Sequence, residues 1–258
     1  MIDAIGFQTL FRKEIRRFSK VWMQTVFSPL ITTSLYFLVF GVALGSQLTT
    51  VEIDGQTVRY IEFVVPGLMM LAMISNSFLN TSSSLFQSKI NGTITDLLVA
   101  PLGVAEWLLA YVSAAMVRGL LVGVLVWAVA SAFVGVKIHA VWAVLVFSMG
   151  VTASFALLGI VAAVWAEKFD QLSIIPNFVL TPLTFLGGVF YSVHMLPEPW
   201  ATISRLDPVL YMVNGLRFGL LGVTDVPVAG CLAAVGITFA VALSAATWVL
   251  ATGWKLRV

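Results

Sequence analysis

Residues 140–166 read AVWAVLVFSMGVTASFALLGIVAAVWA, a run without a single charged side chain. A helix needs ~20 mostly apolar residues to cross the ~30 Å hydrocarbon layer of a bilayer. This run is long enough, and five further stretches of the chain share its character. The sequence therefore predicts an all-α polytopic membrane protein with six transmembrane helices, near residues 26–45, 61–83, 107–136, 140–166, 174–191 and 228–253.

The composition is typical of a chain that lies largely in lipid. Of its 258 residues, 60% are hydrophobic and 10% are charged, and the mean hydropathy is +1.01. Six spans with short connections use the whole sequence, so we predict a single transmembrane domain over residues 1–258. The loops leave no room for a soluble catalytic domain, and we do not expect the chain to be an enzyme.

The cations are distributed unevenly between the two sides that six spans define. Because cytoplasmic segments carry the excess of Lys and Arg, we predict a multi-pass plasma-membrane protein, in a bacterium the inner membrane, with both termini in the cytoplasm. The nine cations on the predicted cytoplasmic side are Arg12, Lys13, Arg16, Arg17, Lys20, Lys89, Lys168, Lys255 and Arg257. The four on the other side are Arg59, Lys137, Arg205 and Arg217.

Residues 5–22, ahead of the first span, have an amphipathic pattern. Apolar side chains recur at steps of three and four from Phe7 to Trp22, and the cations between Arg12 and Lys20 fill the opposite face. This pattern predicts a helix in the plane of the membrane, with its apolar side toward the acyl chains and its cations toward anionic headgroups. The alternative is an ordinary cationic flank, which does not require this periodicity.

Two of the connections have patterns of their own. Alternating polar and apolar residues over 51–58 predict a small external hairpin that turns at Asp54-Gly55. The segment 197–223 is rich in proline, and its apolar part is too short to cross the membrane. We expect two short re-entrant helices there, near 198–204 and 209–221. Gly215 and Gly219 predict a close contact with another helix.

Polar residues inside the spans are costly in hydrocarbon and are therefore informative. The second span places Asn76 and Asn80 on one helical face, and the fifth span does the same with Asn177, Thr181 and Thr184. One interpretation is hydrogen bonding between neighbouring helices. The other is that the first, second and fifth spans surround a translocation route or a seam between two subunits.

Arg118 is the charge that lies deep in a predicted span. It follows Glu106 by twelve residues, which corresponds to ~18 Å along a helix and places it near the bilayer midplane. We expect no carboxylate at that depth, so the candidate acceptors are the amide oxygens of Asn76 and Asn80 or free backbone carbonyls. Arg118 is then either a clamp between helices or a contact for an anionic substrate group.

The predicted cytoplasmic loop between the second and third spans reads KINGTITDLLVAPL over residues 89–102. A glycine breaks the incoming helix, a threonine and an aspartate have the spacing of a capping box, and a proline ends the next turn. Two leucines give this short helix an apolar face that needs a cover, either the chain's own spans or a separate protein. The residues concerned are Gly92, Thr93, Asp96, Leu97, Leu98 and Pro101.

Several signatures of catalysis and cofactor binding are missing from the sequence. It has no Gly-rich phosphate loop ending in Lys-Ser or Lys-Thr, so we expect no ATP binding by that route. His139, His194 and Cys231 do not have the spacing of a zinc site. We therefore predict no catalytic residue, cofactor or metal in this chain, and no nucleic-acid partner.

The loop residues Gly92-Thr93, the two leucines and Ala100-Pro101 resemble the coupling loop of the type-2 family of ABC exporter permeases. The stretch 178–191, Leu206-Asp-Pro and residues 211–217 resemble the drug- and polysaccharide-export branch of that family. The resemblance covers essentially the whole chain. In one respect the chain departs from it, because Ile90-Asn91 carries no acidic residue before Gly-Thr.

The resemblance implies a mechanism and a set of partners. Two copies of the permease would form a homodimer in the lipid membrane and pair with two copies of a separate ATP-binding cassette subunit, which would bind ATP and Mg²⁺. Closure of the ATPases would push on the coupling loop and move an amphiphilic, lipid-linked or drug-like substrate outward. The alternative function is an ATP-independent secondary transporter or channel. Ion-coupled carriers usually place acidic residues at midplane, and the spans have none there.

Overall fold

The computed structural model describes residues 4–39, 50–53 and 55–255. Helices dominate it, and two short strands, β1 (Thr50–Ile53) and β2 (Gln56–Arg59), form an antiparallel hairpin with Val51 opposite Val58. This pairing confirms the predicted hairpin, although Asp54 of its predicted turn lies outside the described residues. The helices are α1 (Ala4–Lys20), α2 (Trp22–Leu38), α3 (Tyr60–Ile90), α4 (Ile94–Val99), α5 (Val104–Val134), α6 (Val141–Trp165), α7 (Phe169–Ile174), α8 (Thr181–Leu186), α9 (Trp200–Leu206), α10 (Pro208–Leu221) and α11 (Val228–Thr252).

Among the described residues, four helices are long and apolar enough to cross a membrane, namely α3, α5, α6 and α11. They correspond to the second, third, fourth and sixth predicted spans. The described part of the first predicted span is α2, with 17 residues, and residues 40–45 of that span lie outside the described residues. The chain is thus a multi-pass helical membrane protein, and the count of six spans stays a prediction.

The fifth predicted span, 174–191, is not one continuous α-helix. It consists of α7, a π-helical turn over Ile175–Leu180, and α8, which ends at Leu186. Pro176 has no backbone N–H to donate. The backbone N–H of Thr181 donates to the carbonyl of Pro176, five residues earlier, which is the hydrogen-bond spacing of a π-helix. Gly187 and then Gly188, which has φ +69°, end the helix earlier than predicted.

Helix α3 lies at the centre of the bundle, packed between α5 and α6. Glycines permit this approach. A Cβ on Gly119 of α5 would lie 2.1 Å from Ser77 Oγ, and a Cβ on Gly159 of α6 would lie 2.5 Å from the Phe78 carbonyl oxygen. Because backbones can come this close only without a side chain, α3 is tightly held on both sides.

The segment predicted to be re-entrant does contain two short helices, α9 and α10. Pro208 begins α10, and the Asp207 carboxylate caps it by accepting from the Val209 N–H at 2.8 Å. The predicted close contact of α10 is confirmed, because a Cβ on Gly215 would meet the Phe147 ring at 2.3 Å and one on Gly219 would meet Val144 at 2.8 Å. The position of these helices relative to a bilayer stays a prediction.

Two large hydrophobic clusters divide the bundle into ends. The hairpin end contains β1, the start of α3, the end of α5 and most of α10. The α4 end contains α4, the last turns of α3, α6 and α11, the first turns of α5, and Leu10 of α1. Most of the exposed cations also lie at the α4 end.

Helix α1 forms as predicted, but its apolar face does not point toward acyl chains. Leu10 is buried in the cluster of the α4 end, and Phe18 is also buried, because α1 packs along α5. The prediction of a lipid-facing apolar side is therefore wrong for these residues. The exposed face carries the cations, including Arg12, Lys13 and Arg16.

Candidate coupling surface and polar centre

Helix α4 is a short element that presents apolar side chains to the outside. Gly92 adopts φ +74° and breaks the chain direction after α3. Ile94 is buried in the cluster of the α4 end, whereas Leu98 is 43% exposed and Val99 is 86% exposed. The helix is thus fixed on one side and uncovered on the other.

The local details of α4 differ from the predicted capping box. The Thr93 side chain makes no capping hydrogen bond to α4; instead Thr93 Oγ1 donates to the Ser88 carbonyl at 3.3 Å. Asp96 is exposed, as are Gly92 and Pro101. An exposed carboxylate that is free of a capping role remains available to a partner.

The two leucines of α4 face different surroundings. Leu97 is half-buried and packs against the cluster of the α4 end. Together with Leu98, it borders a groove against Trp107 and Leu250. Leu97 therefore anchors the helix, and the outward apolar surface consists of Leu98 and Val99. The sequence did not single out Val99.

A set of buried and half-buried polar groups joins α1 to α3. This polar centre comprises Glu14, Arg17, Asn80, Ser83, Ser84 and Arg118. Glu14 has no exposed surface. Its carboxylate accepts from Ser84 Oγ at 2.8 Å and pairs with Arg17 Nε at 3.1 Å. Arg17 Nη2 also donates to the Asn80 backbone oxygen at 2.7 Å and to Asn80 Oδ1 at 3.1 Å.

Arg118 approaches the same asparagine from α5. Its Nη1 lies 3.5 Å from Asn80 Oδ1, at the outer limit of a hydrogen bond, and its buried Nε has no hydrogen-bond partner. The expected contact with Asn80 is present. The expectation of a region without carboxylates is wrong, because α1 supplies Glu14 to the same set of residues.

Glu14 was not identified from the sequence, although a signal was present. It lies four residues from both Leu10 and Phe18, so it is on the apolar face of α1 rather than among the exposed cations. A carboxylate on a buried helical stripe needs a polar partner. Arg17 was grouped with the surface cations and is instead that partner.

Asn76 lies along α3 beyond Asn80 and borders a groove between α2 and α3. Its Nδ2 donates to the Ala72 carbonyl at 3.0 Å. The groove has a mixed lining in which polar side chains predominate on the α2 side: Ser28, Thr32, Thr33 and Tyr36, facing Ser75 and Asn76 of α3. Pro29, Leu68, Leu71 and Ala72 complete the lining, so these hydroxyl and amide groups lie within a largely apolar wall.

The polar residues of the fifth predicted span have different surroundings. Asn177 and Thr181 are exposed, and Thr184 is buried. Thr181 Oγ1 donates to the Pro176 carbonyl at 2.9 Å, and Thr184 Oγ1 donates to the Thr181 carbonyl at 2.8 Å. Both hydroxyls therefore bond to their own segment, and these hydrogen bonds do not join it to the polar centre.

A second buried arginine, Arg217 of α10, lies at the hairpin end. It was counted among the four cations on the external side, and the structure leaves it no exposed surface. Its Nη1 lies 3.0 Å from Asn214 Oδ1 and 3.4 Å from Asp225 Oδ2, and its Nη2 donates to the Gly188 carbonyl at 2.7 Å. The guanidinium carbon lies 3.9 Å from the centre of the Phe63 ring. This closed cluster joins α10 to α3 and to the end of α8.

The α4 end is also closed by charged groups. Lys89 Nζ donates to the carbonyls of Val164 at 2.8 Å and Ala166 at 2.9 Å, at the C-terminal end of α6. Lys255 Nζ pairs with Glu167 Oε1 at 2.6 Å. The hydrogen bond and charge of Lys255 hold the pKa of the Glu167 carboxylate below its ordinary value. No group of three His, Cys, Asp or Glu side chains suited to a metal occurs among the described residues.

Comparison with known proteins agrees with this architecture. Residues 5–221 match the family described as ABC-2 type transporter. The inner membrane transport permease YadH of Escherichia coli (strain K12) is 42% identical over 224 residues, which is 86% of each chain. Nodulation protein J of Rhizobium meliloti (strain 1021) is 23% identical over 218 residues, covering 83% of this chain and 80% of that protein.

The chain belongs to the ABC-2 type transporter family. It is a transport permease, the membrane subunit of an ABC transporter rather than an enzyme, and it works with an ATPase partner. The sequence resemblance to the type-2 permeases is thereby confirmed.

Proposed function

We propose that the chain is the membrane subunit of an ATP-driven exporter and that α4 is its contact with the ATPase. The observation that carries this proposal is the exposed pair Leu98 and Val99 on a helix fixed by buried Ile94. Exposed adjacent apolar side chains outside the spanning helices favour a protein partner. We propose that transport is outward because residues 89–102 resemble the coupling loop of an exporter.

The packing around α4 gives this contact a mechanical consequence. Ile94 shares one hydrophobic cluster with Leu10 of α1 and with Trp107 and Tyr111 of α5. Because such cores are densely packed and transmit displacement, movement of α4 would move α1 and α5 together. Arg17 and Glu14 would extend that movement to α3 through Ser84 and Asn80.

We propose a homodimer in which the first and fifth predicted spans form the seam. Both present exposed apolar side chains: Phe27, Ile31 and Leu35 on α2, and Phe178 and Phe185 around α8. A second copy would cover these surfaces beside Asn177 and Thr181. The groove between α2 and α3, with Asn76 on its wall, would then face the route.

The remaining parts of the proposal concern membrane placement and substrate. We place the protein in a bacterial inner membrane because YadH is named an inner membrane permease, and both termini in the cytoplasm because the α4 end carries most cations. α9 and α10 would be re-entrant helices on the opposite side, and the π-interrupted segment with α8 would complete six spans. The substrate class we propose is an amphiphilic, lipid-linked or drug-like molecule.

The proposal is tested with a double substitution on the outward face, Leu98→Asp with Val99→Asp. Both side chains are exposed, so the permease should insert and remain monodisperse in detergent. ATP hydrolysis by the co-purified complex in lipid vesicles should fall at least about tenfold, because two buried carboxylates would be unpaired at the interface. Leu97 is avoided, since its half-buried side chain also supports the fold.

The matched control is Ile138→Asp, which places a carboxylate at another exposed apolar position, on the loop at the hairpin end. This variant should retain wild-type ATP hydrolysis. Unchanged hydrolysis in a folded Leu98→Asp, Val99→Asp complex would show that α4 does not couple to the ATPase.

A further inference from the structure

The polar centre contains more positive than negative charge. Arg17 and Arg118 both approach Asn80 Oδ1, at 3.1 Å and 3.5 Å. Glu14 neutralises Arg17, to which it is paired at 3.1 Å. Among the described residues, no carboxylate lies within ion-pair distance of Arg118. One arginine charge in a membrane-spanning helix is therefore uncompensated.

The hydrogen bonds of Arg118 are as incomplete as its charge. Nη1 has a contact only at the outer limit, and Nε is buried without a partner. Beside it, Asn80 Nδ2 is also buried without a partner, and Asn80 itself has no exposed surface. Buried donors without acceptors are costly, and an anion on the exposed part of the Arg118 guanidinium would offset this cost by compensating its charge.

The polar centre is open on one side, unlike a closed structural cluster. Arg17 keeps 25% of its side-chain surface exposed, and Ser83 and Arg118 are half-buried. Gln87, one turn further along α3, is exposed. Leu79 is exposed on the same face and leads toward Asn76 and the groove.

Helix α1 places exposed cations close to this opening. Arg118 shares an acceptor with Arg17 of an amphipathic helix whose outer face carries exposed cations. Exposed cations near a membrane surface attract anionic headgroups. Arg118 is therefore linked through Asn80 to the helix that carries this cationic surface, and its depth in the bilayer stays a prediction.

We propose that Arg118 and Arg17, with Ser83 beside them, bind the phosphate group of an amphiphile in the cytoplasmic leaflet, while Asn80 Oδ1 holds the two guanidinium groups side by side. A phosphate offers several oxygens, which can bridge two guanidinium forks carried by separate helices. This phosphate-binding proposal rests on the proposed function. If the phosphate belongs to the transported molecule, the substrate class narrows to phosphate-bearing amphiphiles. If it does not, the same site holds a resident lipid.

The test measures binding of dioleoyl phosphatidic acid to the purified permease–ATPase complex in detergent, by lipid titration of its thermal stability. Dioleoylglycerol, which has the same chains without the phosphate, is the comparison lipid. Wild type should bind phosphatidic acid at least about tenfold more tightly than dioleoylglycerol, and Arg118→Gln should lose that preference. Arg118→Lys keeps the charge without the fork and should bind with intermediate strength.

Arg16→Gln is the matched control, because Arg16 lies on the exposed face of α1 beside Arg17. It should bind phosphatidic acid like wild type. Should Arg118→Gln not fold, Arg118→Lys and Arg17→Gln carry the test. Equal binding of the two lipids by wild type, or wild-type binding by the folded Arg118 variants, would overturn the proposal.

Vesicles of phosphatidylcholine with and without phosphatidic acid then distinguish the two sources of phosphate. Acceleration of ATP hydrolysis by phosphatidic acid in wild type, absent in Arg118→Gln, would identify a substrate headgroup. Binding without acceleration would identify a resident lipid, and either result supports the site. The coupling proposal is tested separately, with the Leu98→Asp, Val99→Asp double variant. That variant should bind phosphatidic acid like wild type, so failure of one proposal can be told from failure of the other.

Discussion

The two buried arginine clusters of this permease differ in charge pairing and in exposure, although Arg217 Nε and Arg118 Nε are both buried without a hydrogen-bond partner. At the hairpin end, Arg217 has a carboxylate, an amide, a backbone carbonyl and an aromatic ring around it, and no exposed surface. At the polar centre, the carboxylate of Glu14 pairs with Arg17, Arg118 has no carboxylate within ion-pair distance, and part of the site is open. A fully buried arginine paired with a carboxylate holds helices together, whereas a partly exposed arginine without a carboxylate is suited to binding an anion.

The largest effect is expected where the cluster is closed. Arg217→Gln leaves Asp225 buried without a cation and should lower the free energy of unfolding by about 3–5 kcal/mol. Thermal unfolding in detergent measures this loss. The double variant Arg217→Gln, Asp225→Asn should regain part of it, because neither charge then remains. Wild-type stability of Arg217→Gln would show that the hairpin end does not depend on this pair.

Asp225 is itself held from a second direction, which supports this expectation. Its Oδ1 accepts from Ser192 Oγ at 2.6 Å, and its backbone N–H donates to Asn214 Oδ1 at 3.0 Å. The carboxylate therefore cannot turn toward water when Arg217 is removed. Arg205→Gln provides the comparison, since Arg205 is exposed and its loss should change stability little.

A smaller effect is expected in the polar centre. Glu14→Gln preserves the shape of the side chain but removes the carboxylate that neutralises Arg17. Stability should fall by about 1–3 kcal/mol, less than for Arg217→Gln, because Arg17 is partly exposed. Binding of phosphatidic acid should become tighter, since both arginines are then uncompensated. Parallel weakening of stability and of lipid binding would mean that the two clusters serve the same structural purpose.

The smallest effect is expected at the exposed pair Glu167 and Lys255. Because the pKa of Glu167 is lowered in the folded protein, its contribution is present above the ordinary value of 4.5 and is lost as the pH falls through the folded pKa. Glu167→Gln should therefore lower the melting temperature slightly at pH 7 and not at all in strong acid. A melting-temperature difference between wild type and Glu167→Gln that grows toward low pH would contradict the expected pH dependence.

The sequence predicted best those elements that depend on local composition. The apolar runs near 107–136, 140–166 and 228–253 correspond to α5, α6 and α11 within a few residues. Helix α3 continues beyond the predicted end at residue 83, because its polar last turns are covered by α1 and by the end of α6. Composition alone does not show that a polar helical turn will be buried by another element.

The sequence was least informative where a side chain depends on a distant partner. Glu14 was not identified, and Arg217 was counted among the cations of the external side, yet both side chains are buried through contacts with other elements. For Glu14 the helical spacing carried a usable signal, since Leu10 and Phe18 flank it on one face. For Arg217 only the tertiary packing brings Asp225, Gly188 and Phe63 together.

The site residues show the same division. Gly92, with its left-handed backbone, and the exposure of Asp96, Leu98 and Pro101 follow from the local pattern of the loop. Which of the two leucines faces outward depends on the cluster of the α4 end, which Leu97 joins. The polar residues of the fifth predicted span could not be placed from periodicity, because the π-helical turn changes the spacing of side chains before Thr181.

Crosslinking from α4 tests most directly the central claim that this helix contacts the ATPase. Val99→Cys in a Cys231→Ser background places one thiol at a position of α4 that is 86% exposed. With a short bifunctional reagent, the co-purified complex should yield a crosslinked permease–ATPase species. Ile138→Cys in the same background should yield none, since it lies at the hairpin end. Efficient crosslinking from residue 138 and none from residue 99 would contradict the account.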